Sequence, residues 1–248
     1  PKTPKPHGRT GCRPRINKSM VEAVTETRAQ IRARIKERFV QTFDTMAQHE
    51  IKITEEGGNI EVRQSWDDAT NVMMAFGEQK VIADLQPDDF KTFFVNWDTV
   101  GKDANATLES VVKVGSDDGV DVIKVVAGTP WPLSNRVMFS GRYLELDCDG
   151  GHMMLFTTDG NQRYMDDPQI FTAKERKDLV VATVFCSGWW VKPAKDASGA
   201  VIGTHMLYFS QIDAGGSIPT FVQSSQGPKT ALNSIKGAVA WARANKKR

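Results

Sequence analysis

The apolar positions near the start of the chain recur at the spacing of an amphipathic helix. Ser19, followed by Glu22 three residues later, matches a capping box and predicts the helix start. We expect one long or broken helix from there to about Gln48. The basic residues on its other faces indicate a solvated surface, with a partner or membrane contact as the alternative. The apolar positions are Val21, Val24, Ile31, Ile35, Phe39, Phe43 and Met46, and the basic ones are Arg28, Arg32, Arg34, Lys36 and Arg38.

After residue 50 the hydrophobic period shortens to two residues, which is typical of half-buried strands. Ile60, Val62 and Trp66, for example, alternate with polar neighbours. Short turns rich in Gly and Asp separate consecutive segments, so we predict antiparallel pairing rather than helical crossovers. Strands are predicted at about 51–55, 60–66, 70–79, 106–114, 119–127, 134–147, 151–159, 178–192 and 201–213.

Two further segments have helical patterns. A short one opens at Gln86 between the third and fourth strands, and a long one begins after Pro219 with a single apolar stripe. Gly227-Pro228 should kink or restart this last helix. A sheet of about nine antiparallel strands must curl, and the C-terminal helix can cover its concave side. The pattern therefore predicts an α+β fold. The apolar stripe consists of Leu232, Ile235, Val239 and Ala242.

Charge is distributed unevenly along the 248 residues, although 32 Lys and Arg nearly balance 30 Asp and Glu. Residues 1–18 hold six basic groups and no acid, and residues 241–248 hold four more. The remaining 22 basic groups face all 30 acids in residues 19–240. We interpret 1–18 as a basic disordered arm and 19–248 as one folded domain. This distribution argues against a nucleic-acid partner, but it allows transient contact with an anionic membrane surface.

Motifs that carry catalysis or cofactors are missing from the sequence. It has no phosphate-binding glycine loop, no HExxH and no GxSxG, so we expect no enzyme, no cofactor and no metal. Cys12, Cys148 and Cys186 are odd in number and lack CxxC spacing, which indicates a reducing compartment. The apolar stretch Leu179–Val191 is too short to span a bilayer, and no apolar leader opens the chain. These features favour a cytoplasmic binding protein.

One predicted strand carries charge where a buried face is expected. Alternation places Arg136, Met138, Ser140, Arg142 and Leu144 on one face, and the other face ends in Tyr143 and Glu145. Either face buries a charge, and a buried guanidinium is costly unless it is paired or bound by a ligand. The alternative is an edge strand from which Arg142 reaches solvent.

Three segments resemble motifs of the START (steroidogenic acute regulatory-related lipid transfer) family. Residues 130–136, Pro-Trp-Pro-Leu-Ser-Asn-Arg, are similar to its P-x-P-x-S-N-R signature. Residues 213–219, Asp-Ala-Gly-Gly-Ser-Ile-Pro, are similar to its D-x-G-G-x-[IL]-P element. Asn96-Trp97-Asp98 is similar to a Trp-Asp pair that ends a short helix. The resemblance covers about residues 30–245.

This resemblance implies a helix-grip fold, in which a curved sheet wraps around the C-terminal helix and encloses a tunnel for one lipid. Arg142 matches the family's cavity-facing arginine, which would hold a lipid head group or hydroxyl. The loop 127–135 would border the tunnel mouth, with Trp131 either touching a membrane or packed under the last helix. The implied ligand set is Arg142, Met138, Tyr143, Trp131, Phe221, Val222, Leu232, Ile235 and Val239, and the implied structural set is Arg136, Asp213, Gly215, Gly216 and Pro219.

The combined interpretation is a non-enzymatic protein that binds and transfers one lipid. The C-terminal helix and the 127–135 loop would gate the tunnel, and the chain would work as a monomer, cytoplasmic and peripheral at membranes. The ligand class stays open among sterol, phospholipid, ceramide and fatty acid. The alternatives are a lipid-sensing module of a larger protein, such as an acyl-CoA hydrolase, and an enzyme on a related helix-grip scaffold.

Overall fold

The computed structural model describes residues 26–129, 132–216 and 218–246. Its first helix, α1 (Arg28–Thr45), begins at a capping box formed by Thr27 and Gln30. The Gln30 amide N–H donates to the Thr27 hydroxyl, and the Thr27 amide donates to the Gln30 side chain at 2.8 Å. This box, rather than the one predicted at Ser19, caps the described helix. Ser19 and the predicted arm 1–18 lie outside the described residues.

The strands lie close to their predicted positions, and they form a single curved sheet. Nine of them pair antiparallel in one continuous order. They are β1 (Glu50–Glu55), β2 (Ile60–Asp67), β3 (Val72–Ile82), β4 (Leu108–Asp117), β5 (Val120–Ala127), β6 (Arg136–Cys148), β7 (Gly151–Thr157), β9 (Thr183–Lys195) and β10 (Val201–Asp213), with β8 (Val180–Val181) beside them. The sheet order is β1-β2-β3-β10-β9-β7-β6-β5-β4.

The predicted strand 178–192 is in fact two strands. β8 pairs parallel with β6 at Arg136 and Val137, whereas β9 pairs antiparallel with β7 and β10. Between them, the Ala182 amide donates to the Val137 carbonyl at 2.9 Å. The run of β-branched residues here suits either pairing. The position of the break is therefore decided by which distant strands each part pairs with, and not by the local pattern.

The remaining helices are α2 (Lys91–Val95), α3 (Trp97–Ala104), α4 (Gln162–Asp166), α5 (Ala173–Asp178) and α6 (Thr220–Asn245). The sequence pattern did not predict α4 and α5, although a Thr172–Glu175 capping box precedes the second. Of the kink or restart predicted at Gly227-Pro228, the restart is wrong, because α6 continues through Pro228, which is buried. Within the described ranges, none of the helices is both long and apolar enough to cross a bilayer.

Side chains alternate between two cores on opposite faces of the sheet. On β10, Met206 and Tyr208 belong to one cluster, and Leu207 and Phe209 belong to the other. We call the first the α6 face, because α6 buries its apolar stripe there. We call the second the α1 face. There α1 packs Ile31, Ile35 and Phe39.

Charged residues of α1 also enter the α1 face, which corrects the prediction of a wholly solvated basic surface. Arg28 is only 6% exposed. Its guanidinium bonds to Asp117 at 3.0 Å, to the Asn161 side chain at 2.8 Å and to the Gly160 carbonyl at 3.1 Å. Arg28 therefore ties α1 to the β4–β5 turn and to the turn after β7.

The C-terminal half of α6 sits close to its neighbours. Gly237 approaches the carbonyl oxygen of Ala104 so tightly that a Cβ there would collide with it. Gly77 of β3 is similarly covered by the Ile235 side chain. The backbone contact at position 237 requires glycine and holds that half of the helix in one position over the sheet.

Candidate functional site

A pocket of about 150 Å³ lies between the sheet and α6. Residues of strands β4, β5, β6, β7, β9 and β10 line it on the sheet side, and residues of α3, of the segment after α3 and of α6 line it on the other side. The residues around it are mostly aromatic or aliphatic, with a few neutral polar groups. They are Trp97, Asn105, Thr107, Leu108, Val125, Ala127, Met138, Ser140, Phe156, Val184, Ser187, Trp189, Tyr208, Ile212, Thr230 and Ser234.

Four aromatic rings form a connected wall of the pocket. Trp97 lies 4.7 Å from Phe156, and Trp189 lies 5.0 Å from Tyr208, measured between ring centroids. Trp189 and Tyr208 meet because they are directly paired across β9 and β10. The Trp189 indole donates to the Ser234 carbonyl of α6 at 3.3 Å. This bond joins the aromatic wall to the covering helix.

The polar groups of the pocket differ in whether they already have a hydrogen-bond partner in the protein. The Ser187 hydroxyl donates to the Phe209 carbonyl at 3.1 Å, and the Thr230 hydroxyl donates to the Gln226 carbonyl at 3.0 Å. The hydroxyls of Ser140, Tyr208 and Ser234 have no hydrogen-bond partner among the described residues. Of the described residues that line the pocket, none is charged. The site can thus offer neutral donors and acceptors within an apolar enclosure.

Arg142 lies beside the pocket and is engaged by protein groups. Its guanidinium contacts Asp121 at 2.6 Å, Asp98 at 3.0 Å and the Val95 carbonyl at 2.8 Å. The edge-strand alternative is wrong, since β6 lies between β5 and β7. The buried Nε of Arg142 has no partner within the described part of the chain. Arg142 therefore joins β5 and β6 to the helical segment 91–104.

The charges around Arg142 compensate one another. Asp121 also accepts from Lys113 at 2.5 Å, so two cations face two carboxylates. Burial by itself raises the pKa of the Asp121 carboxyl, but hydrogen bonds from Lys113, Ser116 and Arg142 outweigh it and lower the pKa to about 2. The carboxylate is thus ionised at neutral pH and remains paired with Lys113 and Arg142.

Arg136 connects the start of β6 with the turn before α6. Its guanidinium donates to the carbonyls of Ala214 at 3.0 Å and Gly215 at 3.3 Å. The Gly215 amide in turn donates to the Asp213 side chain at 2.9 Å. Gly215 and Gly216 both have positive φ, near +65°, which favours glycine. The structure therefore brings Arg136, Asp213, Gly215 and Gly216 together, and Pro219 directly precedes α6.

The predicted ligand residues occupy different places. Met138 lines the pocket, whereas Tyr143 lies on the α1 face, where its hydroxyl accepts from Arg28 at 3.4 Å. Phe221 is 73% exposed at the start of α6, and Val222 is half-buried. Trp131 lies outside the described residues. Three predicted ligand residues belong to the apolar stripe of α6. They are buried between α6 and the sheet but do not line the pocket: Leu232, Ile235 and Val239.

Several pocket residues were not identified from the sequence. Trp189 and Tyr208 lie in predicted strands. The sequence did not show which alternate positions of those strands face the same side of the sheet as Met138. Phe156 and Ser140 could have been found in the same way, because all of them share the α6 face. Ser234 could have been placed on the buried side of α6 from helical spacing, because it is adjacent in sequence to the buried Ile235.

One cluster elsewhere combines metal-ligand side chains. Donor atoms of Asp88, Asp147 and His152 lie within 4.8 Å of one another. His152 Nδ1 accepts from the Asp147 amide at 3.1 Å, so the ring proton sits on Nε2 and is donated to Asp88 at 2.8 Å. Both ring nitrogens are therefore used in hydrogen bonds that fasten the β6–β7 turn to residues 87–90.

Comparison with solved structures identifies the fold class. Human StAR-related lipid transfer protein 5 aligns with a TM-score of 0.68 at 15% identity, covering 88% of this chain and 98% of that one. Human STARD10 gives 0.62 at 15%, covering 84% and 79%. A STAR-related lipid transfer protein fragment from Xanthomonas axonopodis gives 0.58 at 18%, covering 79% and 98%.

These similarities show that the chain has the helix-grip fold of START domains, as the sequence motifs predicted. The order of elements agrees with this fold throughout, from the N-terminal helix to the long C-terminal one. No protein-family model and no curated protein matches the sequence. The likeness is therefore one of fold, and the function has to be argued from the site.

Proposed function

We propose that this chain binds one lipid in the pocket under α6 and transfers it between membranes without chemical change. The uncharged, aromatic-walled pocket beneath the C-terminal helix is the observation that carries this proposal. Apolar enclosures with a few placed polar groups are typical of ligand sites. The fold neighbours whose names describe lipid transfer add support from fold alone.

Lipid binding requires the pocket to widen. Its volume of about 150 Å³ suits a single aromatic ring, whereas larger ligands occupy roughly 300–1,000 Å³. The cover is suited to opening at one end, because residues 219–227 are exposed or half-buried while the stripe of α6 from Pro228 onward is buried. Pro228 has no amide proton to bond the preceding turn, so the helix is weakest at that boundary. We assign the gate to residues 219–227 and, as the sequence resemblance implies, to the 127–135 loop.

The gate also suggests how the protein meets a membrane. Phe221 exposes its ring at the start of α6, and such residues partition into bilayer interfaces. The basic C-terminal end contributes less to membrane binding than its charge suggests, because two of its basic groups already pair with carboxylates. Arg243 pairs with Asp84 at 2.7 Å, and Lys246 pairs with Asp89 at 3.4 Å. We therefore propose that Phe221 and the basic arm 1–18 make the transient membrane contact. The chain would be cytoplasmic and would bind membranes peripherally.

Blocking the pocket mouth tests the proposal. Thr230 lines the pocket from α6, so Thr230→Trp should place a large side chain across it. Asn233→Trp is the matched control, because Asn233 is exposed on the same helix and does not line the pocket. Native mass spectrometry of protein purified from cells should show one lipid per wild-type chain. It should also show one lipid per Asn233→Trp chain and at least tenfold lower occupancy for Thr230→Trp.

Transfer of a fluorescent lipid between vesicles should follow the same order, since only a loaded chain can carry it. Wild-type protein that is consistently empty in the mass spectrum and inactive in transfer would contradict the proposal. Equal loading of the two tryptophan variants would place the lipid elsewhere in the molecule. Circular dichroism on both variants checks that each remains folded.

A further inference from the structure

The pocket's polar groups identify the class of ligand, on the premise that the chain binds a lipid there. We infer that the bound lipid is uncharged and presents a hydroxyl or carbonyl group, as in a sterol, rather than a carboxylate or phosphate. Three observations carry this inference: the composition of the wall, the state of Arg142 and the free hydroxyls.

The wall offers no counter-charge to an ion. Every described residue around the pocket is neutral, and four of them are aromatic: Trp97, Phe156, Trp189 and Tyr208. An ion moved from water into such a site loses its hydration and gains no counter-charge, so binding of a neutral molecule is favoured. Aromatic side chains also suit a rigid ring system, which makes contact with little loss of conformational freedom.

Arg142 is a buried cation two residues from the pocket-lining Ser140, but it is already neutralised. Asp98 and Asp121 hold its two terminal nitrogens, and Lys113 completes a group with no net charge. An incoming anion would have to displace one carboxylate and would meet the other at close range. Its Nε, the one guanidinium nitrogen without a partner among the described residues, provides one hydrogen bond at most. Such a donor suits a neutral oxygen if the pocket widens toward it.

The unused hydroxyls match a neutral oxygen more directly. Ser140 on β6, Tyr208 on β10 and Ser234 on α6 line the pocket, and none bonds to another described residue. Each hydroxyl can donate one bond and accept others, so together they can satisfy a buried hydroxyl or carbonyl. Leaving them unpaired beside an apolar ligand would be unfavourable, which makes the ligand's polar end part of its recognition.

A matched pair of fluorescent probes tests the charge preference. cis-Parinaric acid and its methyl ester have the same chain and differ in the carboxylate, and energy transfer from the pocket tryptophans reports binding of either. At pH 8 we expect the ester to bind at least tenfold more tightly than the acid. Dehydroergosterol, an uncharged sterol with one hydroxyl, should also bind. Equal or tighter binding of the acid would overturn the inference.

Removal of one hydroxyl tests the polar recognition. Tyr208→Phe should weaken dehydroergosterol binding about 3- to 10-fold, the usual range for one hydrogen bond. Tyr143→Phe is the control, because it makes the same change on the α1 face. Equal affinities for the two variants would overturn the role of Tyr208.

The outcomes separate this inference from the proposed function. Binding that favours the acid or a phospholipid would leave lipid transfer standing and would refute the neutral ligand. Failure of every probe, together with empty protein in the mass spectrum, would overturn both.

Discussion

The two faces of the sheet differ in how their polar side chains are used: those of the α1 face join separate elements, and some of those on the α6 face adjoin a pocket. On the α1 face, Arg28 bonds to a carboxylate, an amide and backbone carbonyls, and Arg38 joins Asp67 at 3.0 Å and Gln211 at 2.5 Å. On the α6 face, a pocket remains, and the hydroxyls of Ser140 and Tyr208 have no partner among the described residues.

This difference separates a structural interface from a binding interface. The network around Arg28 and Arg38 holds one arrangement, because displacing either guanidinium leaves buried groups unpaired. A pocket with free hydroxyls and loosely covered helical turns can exchange its contents at lower cost. The α1 face therefore fixes the sheet, and the α6 face leaves room for a ligand.

The largest expected effect comes from breaking the α1-face network. Arg28→Met should lower the free energy of unfolding by about 3–5 kcal/mol, because it strands buried acceptors that the guanidinium satisfies. Arg32→Met is the control: Arg32 is 44% exposed and lies 3.6 Å from Glu145, so its loss should cost less than about 1 kcal/mol. Urea denaturation measures both.

Ligand affinity of the Arg28→Met protein that remains folded should match the wild type, since the pocket lies on the other face. If the two variants were equally stable, or if Arg28→Met altered ligand affinity as strongly as Tyr208→Phe, the division between the faces would be wrong.

A smaller effect is expected from the charges beside the pocket. The folded-state pKa of Asp121 is about 2, below its ordinary 3.8. Its ionised form thus stabilises the fold above about pH 4, and this contribution is lost as pH falls toward 2. At about 1.4 kcal/mol per pKa unit, the contribution is about 2 kcal/mol.

Asp121→Asn should remove that contribution at neutral pH. The unfolding free energy of the variant, measured by urea denaturation from pH 7 to pH 2, should therefore fall less steeply between pH 4 and 2 than that of the wild type. Parallel curves for the two proteins would show that Asp121 is not stabilised by its cations.

The smallest effect on stability is expected at the gate, where the change should appear in membrane binding instead. Phe221→Asp should leave unfolding within about 0.5 kcal/mol of the wild type, because the ring is exposed. It should reduce sedimentation with anionic vesicles several-fold. Val112→Asp, on the exposed surface of β4, is the control and should leave sedimentation unchanged. Equal binding by both variants would exclude Phe221 as the membrane contact.

Most of the fold follows from local patterns. Period-two alternation located the nine main strands, and helical spacing placed Ile31, Ile35 and Phe39 on one buried side of α1. The helices α4 and α5 were missed because they are five and six residues long, too short to show a clear period. The break at Ala182 was missed because β-branched residues suit either strand.

The candidate site was predicted less completely. Motif resemblance led to Met138, and alternation showed that Arg136 and Arg142 share a face, but the partners of each arginine come from elsewhere in the chain. Asp98 and Asp121 reach Arg142 from α3 and β5, while Ala214 and Gly215 reach Arg136 from the turn before α6. No spacing rule connects segments so far apart.

The sequence by itself determined the class of fold, the order of its main elements and the placement of Arg136 and Arg142 on one face of a strand, since these depend on neighbours within a few residues. The tertiary structure decided which groups remain unpaired. Arg142 is neutralised by Asp98 and Asp121, whereas the hydroxyls of Ser140 and Tyr208 stay open to the pocket. The physical reason is that hydrogen bonds and charge compensation depend on distances between segments, which only the folded chain establishes.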